Sequence, residues 1–201
     1  MNNLLNIGLI IPQSLVNGPG KRFTIWFQGC FHNCEGCFNK EFHPIDNGTS
    51  VNSNILLEKI LSTPNIEGVS FTGGEPFLQT KELLHLSKTI KEKGLSLLSY
   101  SGYTMHEIKS SIPGGQELLQ YLDILIDGPY VESQKSVLLW RGSLNQKVHF
   151  LSDHYKHLKK KVFEKAHKEV ELCIGHHNMS MTGFYDQNIW EMFLTNYLSK
   201  Q

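Results

Sequence analysis

The sequence predicts an α/β fold in which a mostly parallel sheet, covered by helices, curls into a partial (β/α) barrel of the TIM type, with an α/β extension at the C-terminus. Short apolar runs rich in β-branched and aromatic residues alternate with amphipathic runs of helical spacing. Such an alternation implies parallel strands joined by helical crossovers, and right-handed crossovers curl a sheet toward a barrel. The alternation of strand-like and helix-like runs ends near residue 150.

The first strand and helix of the barrel are expected in the first third of the chain. Residues 22–28, "RFTIWFQ", are β-branched or aromatic at most positions and predict a strand. Residues 51–62 place Ile55, Leu56 and Ile60 at helical spacing. Residues 66–72, "IEGVSFT", form a short apolar run that ends in glycines, which predicts a buried strand followed by a turn.

The same pattern continues to residue 150. An amphipathic helix is expected over 81–94, where Gly94 ends it. The remaining core elements are strands at 95–100, 123–127 and 147–150 and a short helix at 104–111. In sheets of this kind the functional loops lie at the C-terminal ends of the strands.

The residues beyond 150 are expected to form an appended module. Residues 153–169 read as a basic amphipathic helix, residues 170–185 as a hairpin that turns around 176–178, and residues 186–200 as a final helix. We therefore predict a core of residues 1–150 and an extension of residues 151–201 packed on it.

Composition narrows the possible functions. Of the 201 residues, 40% are hydrophobic and 19% charged, so a packed core is expected. Lys plus Arg and Asp plus Glu number 19 each, and a formal net charge of zero argues against a nucleic-acid partner. The N-terminus has no basic start, and no run approaches the ~20 apolar residues of a membrane span. A cytoplasmic protein with reduced thiols is expected.

Three of the four cysteines lie within eight positions, in "WFQGCFHNCEGCFNK" (26–40). A zinc site would need a fourth ligand, for which His32 or Cys173 is available. A disulfide would leave one thiol over and suits an oxidising compartment. In a 4Fe–4S cluster the three thiolates of Cys30, Cys34 and Cys37 would each bind one iron, leaving the fourth iron open to another ligand.

A second motif follows the next predicted strand. In "FTGGEPF" (71–77), Gly73 and Gly74 allow a ligand to approach the backbone closely, and Glu75 adds a carboxylate suited to a cationic amine. A glycine pair after a strand is more often a simple turn, so this motif gains weight only from its place one βα unit after the cysteines.

The C-x3-C-x2-C spacing directly after a strand, together with "GGEP", resembles the radical S-adenosylmethionine (SAM) superfamily. Further motifs occur in one order, namely "VNGPGKR", "SGYT", "LIDGPYV" and "LWRGSLNQKVH". With them, residues 10–150 resemble the anaerobic ribonucleoside-triphosphate reductase activating proteins, which are glycyl-radical activases. Gly36, directly before the third cysteine, also fits that family.

The resemblance implies roles for individual residues. Cys30, Cys34 and Cys37 would bind the 4Fe–4S cluster. The residues implied in SAM binding are Gly36, Cys37, Phe38, Gly73, Gly74, Glu75, Ser101 and, near the open end of the barrel, Asp127. Arg141 would lie close to the reaction, although a structural salt bridge is an equally good interpretation.

The resemblance also implies the activity and the partners. SAM would be cleaved reductively to a 5′-deoxyadenosyl radical, which would take a hydrogen atom from a glycine of the large subunit of anaerobic ribonucleotide reductase. The electron would come from a donor such as a flavodoxin.

One departure concerns the target. Shorter members of the family end near the position of "QKVHFLS", whereas this chain continues to residue 201. Three alternatives therefore stay open: an enzyme like 7-carboxy-7-deazaguanine synthase, a peptide-modifying radical SAM enzyme, and a non-catalytic metal-binding interaction module.

Overall fold

The computed structural model describes residues 3–164, 169–174, 179–183, 192 and 195–196. A seven-stranded sheet runs through this part of the chain. Its strands are β1 (Leu4–Ser14), β2 (Arg22–Phe27), β3 (Thr49–Asn52), β4 (Gly68–Gly73), β5 (Ser96–Tyr100), β6 (Ile124–Asp127) and β9 (Lys147–Phe150). Their order across the sheet is β3-β1-β2-β4-β5-β6-β9.

Four neighbouring strands, β2, β4, β5 and β6, are parallel and form the centre of the sheet. The connections carry the helices α1 (Ser53–Ser62), α2 (Thr80–Glu92), α3 (Met105–Ser111) and α4 (Gly115–Leu119). The helices cover one face of the sheet, where Leu56, Leu83 and Ile108 join Leu97 and Leu125 in one buried cluster. The predicted α/β class with a central parallel sheet is confirmed.

The other face of the sheet is covered differently. Leu98, Ile124 and Ile126 point away from the helices and pack with Trp140 and Tyr155. Side chains that alternate along a strand face opposite sides, so the neighbours Leu97 and Leu98 belong to different clusters. One layer thus consists of helices and the other of loops and residues beyond 150.

The described sheet is open, because β3 and β9 stand at its two edges and do not pair with each other. Partial barrel closure therefore stays a prediction. The outer strands run antiparallel to their neighbours: β3 to β1, β1 to β2, and β9 to β6. Strand β1 was not predicted, since Asn6, Gly8 and Pro12 interrupt its apolar run. The register between β1 and β2 shifts between Ile11 and Ser14, and such an irregularity accommodates a proline.

A small hairpin follows the parallel strands. It pairs β7 (Lys135–Leu138) with β8 (Arg141–Ser143) in antiparallel fashion.

Among the described residues, none of the helices has the length and apolar character that crossing a membrane requires.

The predicted amphipathic helix over 153–169 is wrong for the described residues. Within residues 153–164, only two short 3-10 turns form, Lys156–Leu158 and Lys161–Phe163. Tyr155 and Val162 are buried against the sheet, and these tertiary contacts outweigh the helical preference of the lysine-rich run. Farther on, β10 (Val170–Ile174) pairs with β11 (Met179–Gly183). The predicted turn at 176–178 and most of the predicted helix at 186–200 lie outside the described residues.

Candidate active site

The cysteine loop begins where β2 ends and returns to the same place. The Gly29 N–H donates to the Phe42 carbonyl at 2.8 Å, and the Cys30 N–H to the His43 carbonyl at 3.0 Å. The side chain of Gln28 donates to the carbonyl of Pro44 at 2.6 Å. These bonds close residues 28–44 into a compact loop that holds Cys30, Cys34 and Cys37 as free thiols.

The thiols lie in a partly buried environment. Burial raises the pKa of Cys30 to about 11, and burial also raises the pKa of Cys37. The Cys37 sulfur accepts from the Asn39 N–H at 3.4 Å and lies 3.3 Å from Nε2 of His43. Without a metal these two thiols are protonated near neutral pH, so binding a metal centre would release protons.

The glycine turn after β4 lies directly against the cysteine loop. β2 and β4 are parallel neighbours in which Phe27 pairs with Gly73, so both loops leave the same edge of the sheet. The Gly74 N–H donates to the Phe27 carbonyl and the Glu75 N–H to the Gly29 carbonyl, each at 2.8 Å. A Cβ on Gly74 would lie 2.3 Å from the Gly29 carbonyl oxygen, so only glycine fits there.

Glu75 joins three loops although it is only 1% exposed. Its Oε1 accepts from the Phe77 N–H at 2.9 Å and from the Ser101 hydroxyl at 3.0 Å. Its Oε2 accepts from the Gly102 N–H at 2.7 Å and lies 3.3 Å from Nε2 of His32, inside the cysteine loop. The carboxylate thus ties the glycine turn to the "SGYT" loop and the cysteine loop.

Most of the predicted site residues line one cavity. Its lining includes the following predicted residues: Cys30, Cys34, Cys37, Phe38, Gly73, Gly74, Glu75 and Ser101. The cavity therefore joins the ends of β2, β4 and β5, as the position of functional loops in parallel sheets predicts.

Comparison of the sequence with known proteins identifies the family of this chain. The family described as "4Fe-4S single cluster domain" matches residues 16–149. The anaerobic ribonucleoside-triphosphate reductase-activating protein of Enterobacteria phage T4 is 36% identical over an alignment of 152 residues that covers 72% of this chain and 93% of that protein. The chain belongs to this family of activating proteins.

Two bacterial members of the family are similarly close. The activating protein of Vibrio cholerae is 31% identical over 72% of this chain and 97% of its own length. That of Escherichia coli K12 is 30% identical over 73% of this chain and 99% of its own length. Among solved structures, the crystal structure of QueE from Escherichia coli covers 50% of this chain and 54% of that chain, at 22% identity and a TM-score of 0.45, too limited a likeness to decide the architecture.

The cluster domain of the family fits the residues present. Three free thiols and the Gly74 turn line one cavity. Within the described residues no three His, Cys, Asp or Glu side chains are grouped so that they could hold a metal ion. A 4Fe–4S cluster distributes its thiolates over different irons, so it does not require three sulfurs to converge on one atom.

Three predicted residues of the family motifs lie outside the cavity lining. At Gly36 the backbone φ is +70°, and a Cβ would lie 2.0 Å from the Glu132 carboxylate. Asp127 accepts from the Met105 N–H at 2.6 Å and lies 2.9 Å from Nε2 of His149. Arg141 donates to the carbonyls of Val162 and Gln146, and no carboxylate among the described residues forms an ion pair with it. The structure therefore gives Asp127 and Arg141 positioning contacts.

Several lining residues were not predicted for the site. They are Asn17, Trp26, His43, Tyr130, Trp140, Gly142, Thr182 and Gly183, among others. Asn17, Tyr130, Trp140 and Gly142 lie within the family motifs "VNGPGKR", "LIDGPYV" and "LWRGSLNQKVH", so the motifs held a signal for them. Thr182 and Gly183 lie outside every motif, and no pattern in the sequence indicated them.

Proposed function

We propose that this chain is an iron–sulfur radical SAM enzyme that cleaves SAM reductively and generates a glycyl radical on anaerobic ribonucleoside-triphosphate reductase. One observation carries the proposal: in a chain of this family, three free cysteines share one cavity with the glycine turn of the "GGEP" motif. The curated relatives are named as activators of that reductase.

The protein's part in this activity is to hold and orient. Cys30, Cys34 and Cys37 would bind the cluster, and the backbone of Gly73 and Gly74 would allow SAM to approach closely. When bound, a reduced 4Fe–4S cluster supplies the electron that cleaves SAM to methionine and a 5′-deoxyadenosyl radical. Glu75 fixes the three surrounding loops, because its carboxylate accepts hydrogen bonds from two of them and lies against His32 of the third.

Access for a protein substrate supports a partial barrel. A glycine in a polypeptide loop can reach the cavity only if one side of the enzyme is open. The two edges of the described sheet do not pair, which agrees with an opening of that kind. We therefore assign the core, residues 1–150, to a partial barrel of the radical SAM type, and residues 151–201 to an extension packed on it.

Electron paramagnetic resonance tests the proposal. The anaerobically reconstituted protein is mixed with SAM, a reductant and the large reductase subunit, and a doublet glycyl signal is expected. Cys34→Ala should abolish both SAM cleavage and the signal, whereas Cys173→Ala, outside the motif, should keep both. Cleavage of SAM by the wild type without a glycyl signal would exclude the activase role and favour another radical SAM substrate. One zinc per chain in place of about four irons would exclude the radical chemistry.

The cellular setting follows from this chemistry. We infer a cytoplasmic location, where thiols stay reduced, and an electron donor such as a flavodoxin. The large reductase subunit would be the protein partner, and neither a nucleic acid nor a membrane is needed. Replacing the chemical reductant by reduced flavodoxin should give the same radical signal.

A further inference from the structure

The hairpin formed by β10 and β11 turns one face toward the core. Along β10, Val170, Leu172 and Ile174 are exposed, whereas Glu171 and Cys173 are half-buried. Glu171 pairs with Thr182 across the hairpin, so Thr182 lies on the same face as Glu171 and Cys173. Thr182 is only 8% exposed, which identifies this face as the packed one.

A pair of side chains attaches this face to the core. Nδ2 of Asn17 donates to the Thr182 hydroxyl at 3.0 Å and to the Ser14 hydroxyl at 2.8 Å. The Asn17 carbonyl accepts from the hydroxyl of Ser70, on β4, at 2.6 Å. Asn17 is therefore fixed by the end of β1 and by the centre of the sheet, and Thr182 is attached to a rigid point.

The attachment point lies at the candidate active site. Thr182 and Gly183 line the same cavity as Cys30, Cys34 and Cys37. Asn17 belongs to residues 16–149, which the family shares, but Thr182 does not. The family match ends at residue 149, so the hairpin lies beyond the part of the chain that the family model covers.

We propose that Thr182 is a binding-site residue of this chain, held by Asn17, and that the hairpin it anchors is a wall of the cavity that takes SAM. This inference rests on the proposed function for the identity of the ligand. The wall places a hydroxyl beside the ligand and limits the access of water and oxidants to the cysteines. The substrate must then enter past a wall that this chain supplies itself.

Hydrogen exchange with the wild-type holoenzyme tests the position of the wall. The reconstituted protein is compared with and without SAM, and exchange is followed by mass spectrometry. SAM should slow exchange in the glycine turn, residues 71–77, and also in residues 179–183. Protection confined to the glycine turn would overturn the wall and leave the proposed function intact. Absence of protection in both segments would overturn SAM binding and this inference with it.

Variants of the hairpin test the role of Thr182 without the cofactor. In the cluster-free protein, the rates at which N-ethylmaleimide modifies the three cysteines are measured by peptide mass spectrometry. Thr182→Val keeps the shape but loses the hydrogen bonds to Asn17, so about five-fold faster modification is expected. Thr182→Ser keeps the hydroxyl and should be modified at the wild-type rate. Ile174→Ala should also keep that rate, because Ile174 lies on the opposite face of the hairpin and is 73% exposed.

Equal rates in wild type and Thr182→Val would overturn the shielding role. The exchange experiment needs no variant, so it decides the position of the hairpin even if Thr182→Val fails to fold. After reconstitution, the same variant should bind SAM about five-fold more weakly in equilibrium dialysis, whereas Ile174→Ala should bind it as the wild type does.

Discussion

At the scale of single residues, Gly74 determines how closely the two motif loops approach each other. A side chain there would meet two backbone carbonyls, of Gly29 at 2.3 Å and of Phe42 at 2.8 Å, and neither can move without opening the cysteine loop. Gly74→Ala should destabilise the fold by about 2–3 kcal/mol and prevent full cluster loading. Iron analysis after reconstitution and thermal unfolding measure the two effects.

Gly94→Ala is the matched control for Gly74. Gly94 has a φ of +80°, but a Cβ there would have no atom within 4 Å. The change should cost about 1 kcal/mol of backbone strain and leave the iron content unchanged. Full iron loading in Gly74→Ala would contradict the importance of the close contact.

Glu75 is the second residue whose substitution has a specific expected effect on stability. Its two oxygens face different backbone donors, the N–H of Phe77 and the N–H of Gly102. In Glu75→Gln either orientation of the amide sets an NH2 group against one of these donors. A loss of about 1.5–3 kcal/mol of unfolding free energy is expected in the cluster-free protein, measured by urea denaturation. Glu58→Gln, at an exposed helix position, should change little, and an equal loss there would refute the reasoning.

At the scale of elements, Asp123 joins a helix, a strand and the chain after β9. It accepts from Lys91 on α2 at 2.7 Å, from the Leu97 N–H on β5 at 2.8 Å and from the Ser152 hydroxyl at 2.5 Å. Burial by itself would raise the pKa of Asp123, but these hydrogen bonds outweigh it, and the pKa is lowered.

The lowered pKa of Asp123 predicts a dependence of stability on pH. An unfolded Asp titrates at about 3.9, so the ionised Asp123 stabilises the fold above that pH, and this stabilisation is lost as the pH falls through the lower folded pKa. Asp123→Asn should be less stable than the wild type at pH 7 and should lose less stability between pH 5 and pH 3. Urea unfolding at several pH values measures both, and Asp153→Asn, whose carboxylate is exposed, should retain the wild-type slope.

The elements also differ in how far local sequence determines them. Strands β2, β4, β5, β6 and β9 were predicted within two residues, because each is a short apolar run bounded by turn residues. β1 was not predicted, since Pro12 and Asn6 break its pattern, and pairing with β2 and β3 makes it a strand. The run at 153–169 has helical spacing, yet burial of Tyr155 and Val162 gives it another conformation. Contacts between distant segments, which no local pattern contains, decided both cases.

At the scale of the whole molecule, Tyr155 is one of the described residues after 150 that attach to the core. Its hydroxyl lies 2.6 Å from a Glu67 carboxylate oxygen and 2.7 Å from the Ser96 hydroxyl. Nη1 of the fully buried Arg22 lies 3.4 Å away. This group of polar side chains lies beneath the "VNGPG" loop, whose Pro19 carbonyl also accepts from Arg22.

Tyr155→Phe tests this attachment. The change should cost about 1–2 kcal/mol, because it leaves Glu67 without its donor and keeps the aromatic packing. For a chain of this size that corresponds to a fall of roughly 2–8 °C in melting temperature. Tyr121→Phe is the control, because the Tyr121 hydroxyl makes no hydrogen bond with the described residues. This variant should melt within about 1 °C of the wild type. Equal melting temperatures for Tyr155→Phe and the wild type would show that the contact contributes nothing.

The site shows the same limits of prediction as the fold. The cysteines, the glycine turn and Ser101 could be predicted together, because parallel strands bring successive loops to one edge of a sheet. Thr182 could not, since its contact with Asn17 joins residues 165 positions apart. The order of the motifs was therefore enough to predict that the cysteines, the glycine turn and Ser101 lie together. Only the three-dimensional structure places Thr182 beside them.

The pairing of Phe27 with Gly73 has a consequence for how the protein matures in the cell. The thiols lie in the loop after β2, and the glycine turn that would receive SAM lies in the loop after β4. Neither half of the site is therefore useful before these strands align. A shift of one residue would direct every side chain of a strand to the opposite face and separate the halves. We therefore expect iron and sulfide to be inserted after the sheet has formed, with the correctly registered sheet serving as the template for cofactor assembly.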